Sequence, residues 1–267
     1  MAKGLSIMLR KTFYFISGLP RAGSTMLSAI LIQNPDFYAH VSSPVFGLVD
    51  GVISGASAGT EFASLMTIPK REAVIRGIFD TYYADRPERV IFDTNRAWTS
   101  RMPLLHSLFG EVKVIAMVRN VAWIMDSMER MYRRQPFEHT RLFSPAERST
   151  VYTRVEALGQ KTRLVGLAWA SLREAMSGEF ASSILLVDYD HFVDHPAESM
   201  ERIYEFIGTM PKFYHDFNEL NFDAVEFDNG LGVSDLHKVR KCVSRVDRTS
   251  ILPSDLFSQY SKLNFWE

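Results

Sequence analysis

Eight consecutive residues, Gly18-Leu19-Pro20-Arg21-Ala22-Gly23-Ser24-Thr25, combine two glycines, an arginine and two hydroxyls between the apolar run TFYFIS and the helix-like MLSAILIQ. A strand, a glycine loop and a helix start in that order make a cradle for an anion, because loop amides and the helix N-terminus turn partial positive charge toward it. The glycines have the spacing of a nucleotide-triphosphate loop, but Ser24 stands where such a loop carries its lysine. Arg21 offers the positive charge instead, as a planar fork matched to phosphate or sulfate oxygens. The same residues can also serve as a plain turn. The Ser-Thr pair at the helix start and the position after a first strand favour the anion.

Other chemically able residues stand at the ends of apolar runs. KVIAMV ends at Arg119, and Ser127 follows eight residues later, a little over two helical turns, which returns it to the arginine's side of a helix. SILLVD is followed by Tyr189, and a late basic cluster holds Lys238, Arg240 and Lys241. His40 follows a short run near Tyr38, while Asp93 and Arg96 close RVIFD and open the next turn. His40, titrating near neutrality, suits proton transfer.

The elements that must hold these groups are strands alternating with helices. Thr12–Ser17, Tyr38–Val41, Arg89–Asp93, Lys113–Val118 and Ser183–Asp188 are short, apolar and rich in β-branched residues, as buried strands of a mostly parallel sheet are. Thr25–Gln33, Pro69–Ala84, Asn120–Arg134, Thr162–Met176 and Pro196–Ile207 have helical character and end signals. The fold expected is α/β: a three-layer, P-loop-type arrangement with the sheet between helices, in a single domain over residues 1–267. Ser42–Gly59, rich in Gly, Ser and Ala, and Gln135–Thr150 are expected as loops or irregular helices and as acceptor-site walls, with Tyr82, Tyr83, Trp98, Trp123 and Phe137 as further candidates. The tail from about Asp228 shows little periodicity.

FISGLPRAGSTMLSAILIQNP resembles the sulfotransferase superfamily, especially bacterial sulfotransferases related to the tyrosylprotein branch, and further stretches match to the closing LNFW. The resemblance implies that Gly18, Pro20, Arg21, Ala22, Gly23, Ser24 and Thr25 bind the 5′-phosphosulfate end of 3′-phosphoadenosine 5′-phosphosulfate. It likewise implies that Arg119 and Ser127 bind the 3′-phosphate, that Tyr189 touches the adenine, and that a loop at about 228–245 closes over the donor through Lys238, Arg240 or Lys241. Asn120-Val121 departs from the Asp-Pro common in the family. The resemblance also asks for a base. Where tyrosylprotein relatives carry glutamate, this chain has His40-Val41-Ser42-Ser43-Pro44; where small-molecule enzymes carry histidine, it has Asp93-Thr94-Asn95-Arg96. His40 and Asp93 are thus both candidates, with Arg96 as a sulfate or acceptor contact.

The expected reaction is in-line sulfuryl transfer to the hydroxyl of a small molecule or peptide, dominated by positioning and charge stabilisation and needing no metal. A kinase or nucleotide hydrolase would need the absent loop lysine, and a catalytically silent module would bind nucleotide without transfer. With 30 basic and 31 acidic residues, the overall charge gives no reason to expect nucleic acid or a membrane surface. No stretch reaches the roughly 20 apolar residues of a membrane span. Cys242, the single cysteine, excludes a disulfide framework within the chain and suits a cytoplasmic location. Oligomeric state is left open.

Overall fold

The computed structural model describes residues 11–134, 137, 142–208, 211–232 and 235–267. Five strands, β1 Thr12–Gly18, β2 Phe37–Ala39, β3 Val90–Thr94, β4 Val114–Val118 and β5 Ile184–Asp188, form one sheet in the order β2-β3-β1-β4-β5. Every pairing is parallel, Phe15 standing opposite both Asp93 of β3 and Val114 of β4. The helices are α1 Ser24–Leu31, α2 Val45–Ala56, α3 Ile68–Tyr82, α4 Met102–Phe109, α5 Val121–Arg134, α6 Val151–Gly159, α7 Leu164–Ser177, α8 Tyr189–Asp194, α9 Pro196–Ile207, α10 Val225–Leu231 and α11 Ser254–Ser261.

The sheet is buried from both sides, which is why its strands read as continuous apolar runs rather than alternating ones. Phe13 and Phe15 of β1 meet Phe79 of α3, Trp98 and Phe109 at centroid distances of 5.2–6.0 Å. Tyr14 turns to the other face and meets Phe92 at 5.4 Å, and Phe37 stacks on Tyr204 of α9 at 5.8 Å. Each fully buried ring of this kind contributes about 1.5–3 kcal/mol through removal of apolar area from water.

Two expectations are corrected. Within 42–59, expected as a loop or irregular helix, residues 45–56 form a regular α-helix of 12 residues. Its glycines, Gly47, Gly51 and Gly55, recur every four residues on the outer face, where an added Cβ would meet nothing, while Val45 and Val49 are buried. The tail carries order that its weak periodicity hides: α11 docks on α5 through Trp123 and Phe257, 5.0 Å apart, and Asn264 Oδ1 accepts the Val121 N–H at 3.1 Å, capping the start of α5. Of the 135–150 stretch, residues 135, 136 and 138–141 lie outside the described residues; the rest makes turns that lead to α6, whose Thr150 and Thr153 cap one another reciprocally.

Within α5, Glu129 is 2 % exposed and accepts Arg154 Nε at 2.8 Å, Arg154 Nη2 at 2.6 Å and Arg133 Nε at 2.7 Å. One turn earlier, buried Asp126 accepts Arg130 Nε at 2.8 Å, the Ile251 N–H at 2.7 Å and Ser250 Oγ at 3.1 Å. A buried charge persists only with such partners. These two carboxylates lock α5 to α6 and to the tail.

Candidate anion and acceptor site

The phosphate loop, His40, Arg96, Arg119 and Tyr189 all lie just beyond the carboxyl ends of strands, where an open parallel sheet places its ligands. β1 lies at the sheet's centre, with β3 and β4 as its neighbours, so its loop opens at the point where the chain's connections diverge.

Close packing dictates both glycines of the loop. Gly18 has φ +102°, and a Cβ there would fall 2.2 Å from the Met117 carbonyl oxygen; Gly23 has φ +94°, and its Cβ would fall 2.6 Å from Tyr189 Cδ2. Arg21 between them has φ 59°. A side-chain-bearing residue held in that region costs about 1–3 kcal/mol, a strain typical of ligand-gripping loops. The Leu27 N–H closes the first turn of α1 onto Gly23 O at 3.0 Å, and Gly23 supplies no side-chain cap. The amides at the helix start are thereby left for an outside acceptor, with no acidic residue in the first turn of α1 to compete for them.

Arg21 and the candidate 3′-phosphate residues are brought together. Arg21 Nε donates to Ser127 Oγ at 3.3 Å and Nη1 donates to the Leu236 carbonyl at 2.7 Å. Burial, and then the guanidiniums of Arg134, Arg119 and Arg248, hold the Arg21 pKa below the usual arginine range, with Asp228 opposing. Arg119 pairs with no carboxylate among the described residues; its Nε is buried without an acceptor, and its guanidinium lies 4.1 Å from the centre of the Tyr189 ring. Tyr189 itself is oriented by Asp188, whose side chain caps α8 by accepting the Asp190 and His191 amides at 2.9 and 3.0 Å. Converging arginines of this kind form a positive field that calls for a multiply charged anion.

Arg248 belongs to this group although no motif points to it. It approaches Asp126 at 3.3 Å and lies over Trp123 at 5.2 Å, and its pKa is lowered by burial and by Arg119 and Arg130 against the pull of Asp126. The late basic cluster is turned to the surface. Lys238 and Lys241 are exposed and pair with Asp235 and Glu219 at 3.4 and 3.5 Å, and Arg240 is exposed.

A cleft of about 580 Å³ opens beside β2, lined by Tyr38, His40, Ser43, Tyr82, Arg86 and Phe227. A second, of about 420 Å³, lies beside Arg119 and Tyr189 and is lined by Asn120, Trp123, Asp188, His191 and Trp266. The two candidate bases differ sharply. His40 lines the first cleft, whereas Asp93 is 0 % exposed and accepts Ser43 Oγ at 2.7 Å, Tyr83 OH at 2.6 Å and Trp98 Nε1 at 2.6 Å. Burial raises the Asp93 pKa, with those three hydrogen bonds opposing. Both of its oxygens are occupied. Tyr83 and Trp98 are likewise core residues, Phe137 is fully exposed, and Trp123 lines the second cleft. Ser17 Oγ fixes the Arg96 backbone by donating to its carbonyl at 2.9 Å, and burial holds the pKa of the Arg96 guanidinium below the usual arginine range.

Residues 56–211, spanning α3 to α9 and including Arg119, Ser127 and Tyr189, match the sequence pattern of the sulfotransferase family. The chain belongs to the sulfotransferase family. Among curated relatives, it is 27% identical over 213 residues to nodulation protein NoeE of Sinorhizobium fredii, a match covering 74% of this chain and 50% of that protein. The chain thus spans about half the length of the curated relative it matches. Two solved structures share the fold: a sulfotransferase from Alicyclobacillus acidocaldarius, TM-score 0.50 and 19% identity over 78% of this chain and 84% of that one; and retinol dehydratase with androsterone and the inactive cofactor PAP, TM-score 0.51 and 12% identity over 96% and 80%. These matches carry the family and the fold, not a branch within the family. No helix of the described residues is long and apolar enough to cross a membrane.

Proposed function

We propose that the protein transfers the sulfuryl group of 3′-phosphoadenosine 5′-phosphosulfate to an acceptor hydroxyl. The observation that carries this is the contact of Arg21, in a loop without the triphosphate-binding lysine, with Ser127, together with an Arg119 that is close enough to act on Arg21 and whose buried Nε has no acceptor among the described residues. One cation group then spans two anionic ends, which suits a nucleotide phosphorylated at both 3′ and 5′ positions better than a triphosphate chain. The loop amides and Arg21 would take up charge on the 5′-phosphate as it leaves. Arg119, Ser127 and Arg248 would hold the 3′-phosphate, with Tyr189 and the 420 Å³ cleft on the nucleoside side.

The acceptor belongs in the 580 Å³ cleft, whose Tyr38, Tyr82 and Phe227 offer ring surfaces and whose Arg86 offers a cation. This composition supports a small organic alcohol or phenol, or a tyrosine-bearing peptide. Of the two candidate bases, the half-buried imidazole of His40, which lines the cleft, suits contact with the acceptor, and the enclosed Asp93 suits holding Ser43, Tyr83 and Trp98 in place. No metal ion enters this scheme. The lone Cys242 fits a reducing, cytoplasmic setting.

The test is calorimetric titration with 3′,5′-bisphosphoadenosine and with magnesium ATP, followed by a screen of hydroxyl acceptors for labelled sulfate. Binding of the bisphosphate in preference to ATP is expected, as is loss of transfer by about 100-fold or more in Arg21→Ala, the size of effect of removing a key oxyanion donor. Near-normal turnover of Arg21→Ala at saturating donor would refute the assignment.

A further inference from the structure

A second imidazole stands at the margin of the acceptor cleft, on the segment after α10. His237 Nδ1 lies 2.6 Å from Asp228 Oδ1, and the His237 backbone N–H donates to Asp228 Oδ2 at 2.9 Å. The Asp228 side chain is 5% exposed and that of His237 18%. A carboxylate that spends both oxygens on one residue fixes the ring's plane and its tautomer: Nδ1–H faces the carboxylate, and Nε2 keeps its lone pair. No hydrogen-bond partner occupies Nε2 among the described residues.

Three contacts tie this pair to the transfer site. The His237 ring packs edge-on against Phe227 at 5.3 Å, and Phe227 also meets His40 at 6.1 Å and lines the cleft. Arg21 donates to the carbonyl of Leu236, the residue before His237. Asp228 also lies close enough to act on the Arg21 guanidinium. The dyad is thus positioned between the group that would grip the phosphosulfate and the space that would hold the acceptor.

We propose that His237, held by Asp228, is the general base of the transfer. The inference rests on the sulfuryl-transfer reading above. As the acceptor oxygen forms its bond to sulfur, the bond from sulfur to the 5′-phosphate oxygen breaks and leaves its electron pair on that oxygen. The acceptor proton passes to His237 Nε2, the imidazolium is stabilised by Asp228, and the proton is later released to water. Asp228 is a positioning residue. His40 lacks a carboxylate of this kind: burial pushes its pKa down, a hydrogen bond to the Ser42 backbone counters, and Arg86 and His237 lower it further. It suits contact with the acceptor as a neutral ring better than storage of a proton.

The test combines three measurements on the intact chain. Nitrogen-15 spectra of the imidazoles should show the His237 proton on Nδ1, and Asp228→Asn should disturb that tautomer. With the acceptor that the screen returns, His237→Gln should lower kcat about 100-fold or more, a typical contribution of a general base, while donor KM and affinity for 3′,5′-bisphosphoadenosine stay within about threefold. The unchanged affinity reports an intact fold. Asp228→Asn should lower kcat with the same pattern. Retention of more than a third of kcat by His237→Gln in a protein that binds the bisphosphate overturns the dyad's role alone, as does a His237 proton found on Nε2. A wild-type protein that binds no bisphosphate overturns the donor assignment and this inference with it.

Discussion

Arg119 shows what a single side chain contributes. It is stacked on Tyr189 and carries a buried Nε without an acceptor, an arrangement that is costly unless an anion completes it. Arg119→Ala is therefore expected to weaken binding of 3′,5′-bisphosphoadenosine by about 10–100-fold, since a hydrogen bond to a charged group contributes about 1.5–3 kcal/mol. Calorimetry measures this directly, and an unaltered affinity would take Arg119 out of the site. The residues legible in the sequence were those announced by local order: Arg21 inside a strand–loop–helix, and Arg119 with Ser127 at a helical spacing. Arg248 and the His237–Asp228 pair carry no such mark. Arg248 reaches Asp126 across a long stretch of intervening chain, and Asp228 meets a histidine nine residues on through an aperiodic segment. Asp93 was legible as a polar residue at a strand end, but only packing shows that Ser43, Tyr83 and Trp98 close it off.

At the scale of elements, α5 carries both Ser127 and the two buried carboxylates that anchor it. Burial alone would raise the pKa of Asp126 and of Glu129. Hydrogen bonds from Arg130 and the Ile251 amide on the first, and from Arg154 and Arg133 on the second, outweigh it and hold both below the ordinary values of 3.8 and 4.5. The unfolded chain then takes up these protons at higher pH than the folded one. Their stabilisation is complete above the ordinary values and is lost as pH falls through the lower, folded ones. Thermal melts should accordingly show Tm dropping between about pH 5 and pH 3, with a shallower drop in Glu129→Gln than in wild type. Equal slopes would mean that the Glu129–Arg154 contact adds nothing. The strands were readable because burial on both faces makes them continuous apolar runs, and the longer amphipathic helices because burial of one face imposes a period on them. α2 was not, because glycines occupy its outer face and remove the contrast between buried and exposed positions.

Across the whole molecule, the segment after residue 245 supports the candidate donor side. It delivers Arg248, satisfies Asp126 through Ser250 and Ile251, and packs α11 along α5. Leu256→Ala, at a buried position of α11, should destabilise the protein by about 2–5 kcal/mol. Because the anion site lies on the elements it supports, bisphosphate at a hundred times its Kd should restore about 2.7 kcal/mol. Denaturant titrations with and without the nucleotide read both quantities, and a variant insensitive to ligand would mean that the loosened tail has cost the protein its anion site.

The strand order has one more consequence. The candidate donor groups hang from β1, β4, β5 and the elements after them, whereas the candidate acceptor cleft is walled by residues following or within β2, the end of α3 and α10. Tyr38, Tyr82 and Arg86 stand on the far side of β3 from Arg119 and Tyr189. Under the proposed assignment, substitutions in those walls should change the accepted hydroxyl compound and leave donor binding intact, which would make substrate choice and donor use separable traits. A laboratory selection for new acceptors would do best to randomise that wall and leave the loop at Gly18–Thr25 untouched.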